Sequence, residues 1–287
     1  ISEVKLLNWI AAYKKNGTAL SYRKIEDRDR DLHFAKNEEL GNLNDLKVSI
    51  NEVNSISPQN LNQENLYFKL NKTLLPNESV KIHLEYTLKL PSKEFTGYGT
   101  SPNQVALKYF FLVPDSFDVS NSKLCEFNNI EETSNFNTLW TINLELPNGE
   151  YSESNLPEIQ PNYFQGKLQT NPEILISKAP IQKINFPLDG KNISLAFGYS
   201  ISKEKFKSKE EFLGNKDIKF WKFHFALFSK AEQVDLDYFS ILSQKVMEES
   251  FIINKNENHW FTNGLQTYME MQYLKKFYSE SKLLGML

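Results

Sequence analysis

Four histidines, His33, His83, His224 and His259, are the residues to weigh first for metal or acid–base chemistry. A helical zinc site needs two imidazoles one turn apart, at i and i+4, with a carboxylate between them to activate water. No two of the four stand at that spacing. The nearest echo is His224-Phe225-Ala226-Leu227-Phe228, with phenylalanine where the carboxylate and the second imidazole belong. A phenyl ring neither ligates zinc nor moves a proton, so His224 reads as one polar residue in an aromatic helix. Cys125 is alone, which excludes an intrachain disulfide and a thiolate metal site. The carboxylate pairs Glu131/Glu132, Glu210/Glu211 and Glu248/Glu249 are sequence neighbours on solvated stretches, whereas glycoside hydrolysis needs two carboxylates flanking a cleft. There is no Gly-rich phosphate loop and no Gly-x-Ser-x-Gly elbow. The sequence thus offers no catalytic, cofactor-binding or intact metal-binding residue.

The segment His259–Tyr278 is the most informative stretch. Apolar residues recur at Phe261, Leu265, Tyr268, Met269 and Phe277, with Gln266, Glu270, Lys275 and Lys276 off that stripe. The 3–4 spacing predicts an amphipathic helix. Asn263-Gly264 ahead of the run predicts its start, since an Asn side chain can accept from an unpaired backbone N–H. Taken alone, these residues describe a core helix with an Asn cap.

The same segment resembles M1-family zinc aminopeptidases, the gluzincins. There a Trp-Leu-Asn-Glu-Gly-Phe-Ala-x-Tyr-x-Glu stretch supplies the third zinc ligand, the Glu before the Gly. Trp260, Gly264, Tyr268 and Glu270 match this pattern, while the ligand position is Asn263. An amide is a poor substitute for a carboxylate on zinc. The family's Gly-x-Met-Glu-Asn substrate loop has no counterpart, Leu213-Gly214-Asn215 being too slight a match.

The elements that would position this segment follow two periods. From about Leu43 the pattern alternates: Leu46, Val48, Ile50; Leu66, Phe68, Leu70; then Val80, Ile82, Leu84, Tyr86, Leu88 and Leu90. Such alternation predicts half-buried antiparallel strands. The Leu74-Leu75-Pro76-Asn77-Glu78-Ser79 turn feeding the last run resembles the saddle-shaped β domain that opens M1 peptidases, with Asn77 for the family's Gly. Asn tolerates the positive φ such a position implies. Gly97-Tyr98-Gly99 and Tyr109–Pro114 are similar to that domain as well. On this resemblance residues 1–40 are expected to be a connection inside the saddle, whose first strands are absent from this chain. Within them, the alternating charges from Arg23 to Asp31 predict a solvated, self-paired surface.

Strand patterning continues through Trp140–Leu146 and through Ile193, Leu195, Phe197 and Tyr199. After Ser202 the period becomes helical, with an apolar stripe at Val234, Tyr238, Ile241, Leu242 and Val246 before the terminal helix. The expected fold is α+β: an antiparallel β saddle or sandwich over 1–202, then a reduced or partial thermolysin-like α-helical domain over 203–287.

A net charge of −3 gives no electrostatic case for nucleic acid or an anionic membrane. No run approaches the ~18 apolar residues of a membrane-crossing helix. The resemblance implies a pseudo-peptidase with no cofactor, retained as a binding or scaffold subunit for protein partners. Bacterial relatives of this kind are usually exported, so the implied setting is the cell envelope, periplasmic or outer-membrane associated. Two other readings stand beside it. One is an active zinc aminopeptidase whose zinc-binding helix lies outside this chain. The other is an unrelated β-sandwich binding module.

Overall fold

The computed structural model describes residues 1–14, 17–51, 53–54, 61, 63–115, 127, 137–168, 170–188, 191–197 and 255–278, with single residues and short runs between 232 and 247. The chain opens with β1 (Glu3–Leu7), a 3-10 turn (Trp9–Tyr13), α1 (Ala19–Glu26), β2 (Asn42–Ile50), β3 (Val53–Asn54), β4 (Asn65–Lys69) and β5 (Ile82–Lys89). Next come β6 (Gly99–Ser101), β7 (Gln104–Leu107), β8 (Val113–Pro114), β9 (Thr138–Asn143), β10 (Tyr151–Ser154), β11 (Glu158–Gln160) and β12 (Tyr163–Leu168). The last described elements are β13 (Ile174–Ser177), β14 (Gln182–Leu188), β15 (Lys191–Phe197) and α2 (Lys255–Phe277). Further helical residues lie between 232 and 247. All described strand pairs are antiparallel, which makes the protein a sheet-rich α+β chain. It divides into two compact units, Ile1–Phe95 with Lys108–Glu131, and Thr96–Leu107 with Glu132–Leu287. The expected boundary near residue 202 falls outside the described residues.

The first unit holds two three-stranded sheets, ordered β4-β1-β8 and β3-β2-β5. Residues 1–40 do more than connect: β1 is the central strand of its sheet, pairing Leu6 with Leu66 on one side and with Pro114 on the other. The reason is apolar density, because Leu6, Leu7, Trp9, Ile10 and Tyr13 are all buried and need neighbours on both sides. The Trp9 ring lies 4.2 Å from Phe127 and 6.0 Å from Tyr109, centroid to centroid, and Tyr13 meets Phe110 edge-on at 5.8 Å. Each such pair adds about 0.5–1.5 kcal/mol beyond its area. Thr18 caps α1 by accepting from the Ser21 N–H at 3.2 Å. Beyond it the charged run pairs with itself, Arg23 with Glu26 and Asp27, and Lys24 with Asp29.

The alternating strands form as predicted, with one irregularity. Leu43 and Leu46 are both buried, although three residues apart they would face opposite sides of a regular strand. The register against β5 shifts between Asn44 and Lys47, with Asp45 at φ 53°, and this bulge restores both leucines to one face. The Pro76-Asn77 turn places Asn77 at φ 67°. There the Glu78 carboxylate accepts from the Leu75 N–H at 2.9 Å and from Lys72 Nζ at 3.3 Å. The Leu75 N–H first, and Lys72 second, hold this carboxyl below its ordinary range.

The second unit contains sheets ordered β10-β13-β7-β6 and β11-β12-β9, and the hairpin β14-β15. Phe164 and Leu156 are fully buried in it. Beside them Gly166 sits in tight space, since a Cβ there would lie 3.0 Å from Pro157 Cδ and 3.2 Å from Leu156 Cδ2. No helix among the described residues is long and apolar enough to cross a membrane.

Candidate functional site

The segment singled out by its motif is α2, and it begins eight residues before Asn263. Asn263 is therefore not the cap expected of it but an interior helical residue, its carbonyl accepting from Thr267 Oγ1 at 2.9 Å. Asn-Gly carries the same local signal at a helix start as inside a helix. A glycine costs about 1 kcal/mol relative to alanine in an interior position, and a cooperative helix anchored further along tolerates that.

The anchor is a contact with the helical residues between 232 and 247. Leu274 is fully buried against Leu236, with Met271, Tyr273 and Tyr278 packed around them. The Tyr273 ring stacks on Phe239 at 4.0 Å and 14°. Polar groups run along the same face. Gln266 Nε2 donates towards the Ser240 carbonyl at 3.3 Å, Ser240 Oγ at 3.2 Å and Glu270 Oε1 at 3.1 Å. Tyr273 and Tyr278 both donate to Asp235 Oδ2, at 2.8 and 2.5 Å.

This reverses the face expected of α2. Gln266 and Glu270 point into the contact, and Glu270 is only 5% exposed. Of the residues read as core positions, Phe261, Tyr268 and Phe277 face outward, as does Trp260, which is 67% exposed, while Leu265 and Met269 are half-buried. Among the described residues of the facing segment the buried positions are Leu236, Ser240, Ser243 and Met247, spaced by four, three and four. Leu242 and Val246 of the expected stripe are half-buried, while Val234, Tyr238 and Ile241 lie outside the described residues. Two serines at core positions are invisible to a hydropathy pattern, yet their small size lets the Gln266 amide approach. Once that amide is inside, Glu270 one turn on supplies an acceptor for it.

Burial pushes the Glu270 carboxyl up, partly offset by hydrogen bonds from Ser240 and Gln266. Burial, then the Asp235 carboxylate, pushes the Tyr273 phenol up to about 12, and the same causes raise Tyr278. Groups held in this manner are spent on fixing two helices together: their donors and acceptors are aimed at one another.

Of the motif residues, then, the structure brings Glu270 into a packed contact and leaves Trp260, Asn263, Gly264 and Tyr268 exposed. Added at Gly264, a Cβ would meet nothing within 4 Å. His224, Cys125, the three carboxylate pairs and the side chain of His259 lie outside the described residues. His83 is exposed, and His33 Nδ1 sits 3.3 Å from Ser21 Oγ, a serine with no solvent exposure. Among the described residues no three His, Cys, Asp or Glu side chains are grouped to hold a metal ion. Asp235, Ser240, Tyr273 and Tyr278 escaped the sequence reading, and Gln266 was read only as a polar residue off the apolar stripe. The usable signal was the seven-residue interval from Gln266 to Tyr273, which sets both on one face.

Compared with protein-family models and with curated proteins, the chain matches none.

Proposed function

We propose that this chain is a catalytically inactive M1-peptidase-like protein that acts as a binding or scaffold subunit in a bacterial cell-envelope assembly. The helix pair in this reading is a remnant of a thermolysin-like domain, and its outward aromatic face engages a protein partner. One observation carries the proposal. The segment resembling the family's ligand-bearing helix carries an amide at the ligand position and turns its aromatic residues outward.

Trp260 and Phe261 meet edge-on at 6.0 Å, and Tyr268 continues the exposed face two turns from Phe261. Aromatic side chains bury large areas at modest entropic cost and are enriched among residues that dominate binding energy. Exposed aromatics grouped along one helix mark interaction surfaces more often than isolated ones do.

The test is affinity purification of the tagged full chain from cross-linked cells of its source, beside a Trp260→Ala/Tyr268→Ala variant. The proposal expects one protein, recovered stoichiometrically with the parent chain, to be depleted about tenfold or more with the variant, the change given by losing about 1.4 kcal/mol of binding. Equal recovery with both chains would place the binding surface elsewhere and refute this assignment.

A further inference from the structure

The chain carries the dipeptide Asn-Gly three times; Asn16 lies outside the described residues, and the other two have opposite backbone demands, Asn148-Gly149 in a turn and Asn263-Gly264 inside α2. Asn-Gly is open to spontaneous chemistry because glycine offers no side chain to hinder attack of its amide nitrogen on the preceding Asn Cγ. The attack closes a succinimide as the C–N bond to the leaving ammonia breaks. Water then opens the ring to aspartate or isoaspartate. No oxidant, cofactor or enzyme is needed. The requirement is conformational: the Asn backbone must rotate until the glycine nitrogen faces its own side chain, and that nitrogen must be free to lose its proton.

We propose that Asn148 is a site of spontaneous deamidation and that α2 protects Asn263 from the same reaction. Asn148 and Gly149 are both exposed, and no atom lies within 4 Å of where a Gly149 Cβ would stand. Gly149 adopts φ 87°, and the turn is closed by the Glu150 N–H donating to the Pro147 carbonyl at 3.3 Å. The bond that holds the turn thus comes from the residue after the nucleophile and leaves the Gly149 nitrogen out of the turn's own bonding. A turn glycine also tolerates rotation at low cost.

In α2 the exposure and the open space around the glycine are the same, but the backbone conditions are reversed. Residue 264 of a helix donates its N–H to the carbonyl four residues back, so the nucleophile is engaged. Rotation at Asn263 would break that bond and its neighbours in mid-helix, where propagation is cooperative. The Asn263 carbonyl is also held by Thr267 Oγ1 at 2.9 Å. Exposure of the Asn263 side chain therefore does not confer reactivity.

The consequences differ between the two sites. At Asn148 the product adds a negative charge and, as isoaspartate, an extra backbone carbon in the turn between β9 and β10. At Asn263 protection keeps an amide at the position where the resembling peptidases place a carboxylate.

The experiment ages the intact protein at neutral pH and 37 °C, then digests it after glutamate and follows two peptides by mass. Leu146–Glu150 reports Asn148, and Asn258–Glu270, fragmented to separate Asn258 from Asn263, reports Asn263. A parallel sample is aged in denaturant, where both dipeptides are unstructured. In the native protein Asn148 is expected to convert about tenfold or more faster than Asn263, the ratio set by about 1.4 kcal/mol of added barrier. In denaturant the two rates converge. Similar native rates, or faster conversion at Asn263, would overturn the proposal. So would a native rate at Asn148 about tenfold below its denatured rate.

Discussion

The Tyr278 hydroxyl and the Asp235 carboxylate lie 2.5 Å apart, 43 residues separated in sequence. Tyr273 reaches the same carboxylate oxygen at 2.8 Å, so one acceptor holds two phenols and fixes the C-terminal end of α2 to its neighbour. For Tyr273 the folded-state pKa, about 12, lies above the ordinary phenol value. The stabilisation is therefore full below the unfolded phenol pKa of about 10 and is lost as pH rises through the folded value. Tyrosinate absorbance should show these two phenols titrating above the ordinary phenol value. Asp235→Asn should lower both and weaken the helix pair by about 1 kcal/mol, the scale of one net hydrogen bond. Unchanged titration in the variant would contradict the shared-acceptor geometry.

Glu270 has the opposite bearing near neutrality. Its pKa is raised by burial, so its contribution to stability is present below the ordinary carboxylate pKa and is lost as pH rises through the folded value. Glu270→Gln retains an acceptor for the Gln266 amide without the buried charge. Thermal melts across about pH 4–8 should show the variant at least as stable as the parent at the upper end, with a flatter pH dependence. A variant that is less stable at neutral pH and keeps the parent's slope would mean that Glu270 is not the titrating group.

Leu274→Ala removes a fully buried leucine of the helix contact. Substitutions of this kind cost about 2–5 kcal/mol. Trp260→Ala and Tyr268→Ala, by contrast, change exposed residues and should stay within about 0.5 kcal/mol of the parent. Chemical denaturation of the three single variants would invert this order if the faces of α2 were assigned the wrong way round.

Asn77 tests the turn before β5. At φ 67° it occupies backbone space that glycine enters freely and β-branched residues enter with strain. Asn77→Gly should be nearly neutral, whereas Asn77→Val should cost about 1–2 kcal/mol. Equal effects in denaturant melts would contradict the left-handed assignment.

How much of this was legible in sequence depended on how local the deciding physics is. Alternation located β2, β4 and β5, because half-buried strands must repeat every two residues. The same reading did not locate the bulge at Asp45, although Leu43 and Leu46 on one face require it. β1 was read as a connection because its partners lie about sixty and more than a hundred residues away, at Leu66 and Pro114. Lys108, 2% exposed with its ammonium 5.2 Å from the Tyr109 ring centroid, belies the surface preference of its residue type. In α2 the helix itself was legible, but its inward face was not. Hydropathy weights Phe261 and Tyr268 for the core, whereas the contact is organised by Gln266, Glu270 and two serines whose pairing depends on a second segment.

The most direct test of the non-catalytic reading is metal analysis of the purified full-length protein together with turnover of a panel of aminoacyl fluorogenic substrates. The account predicts no stoichiometric zinc and no hydrolysis above a buffer control, with the protein folded by its thermal transition. Stoichiometric zinc accompanied by chelator-sensitive turnover would contradict it and establish an active peptidase with a ligand set other than the Asn263 segment.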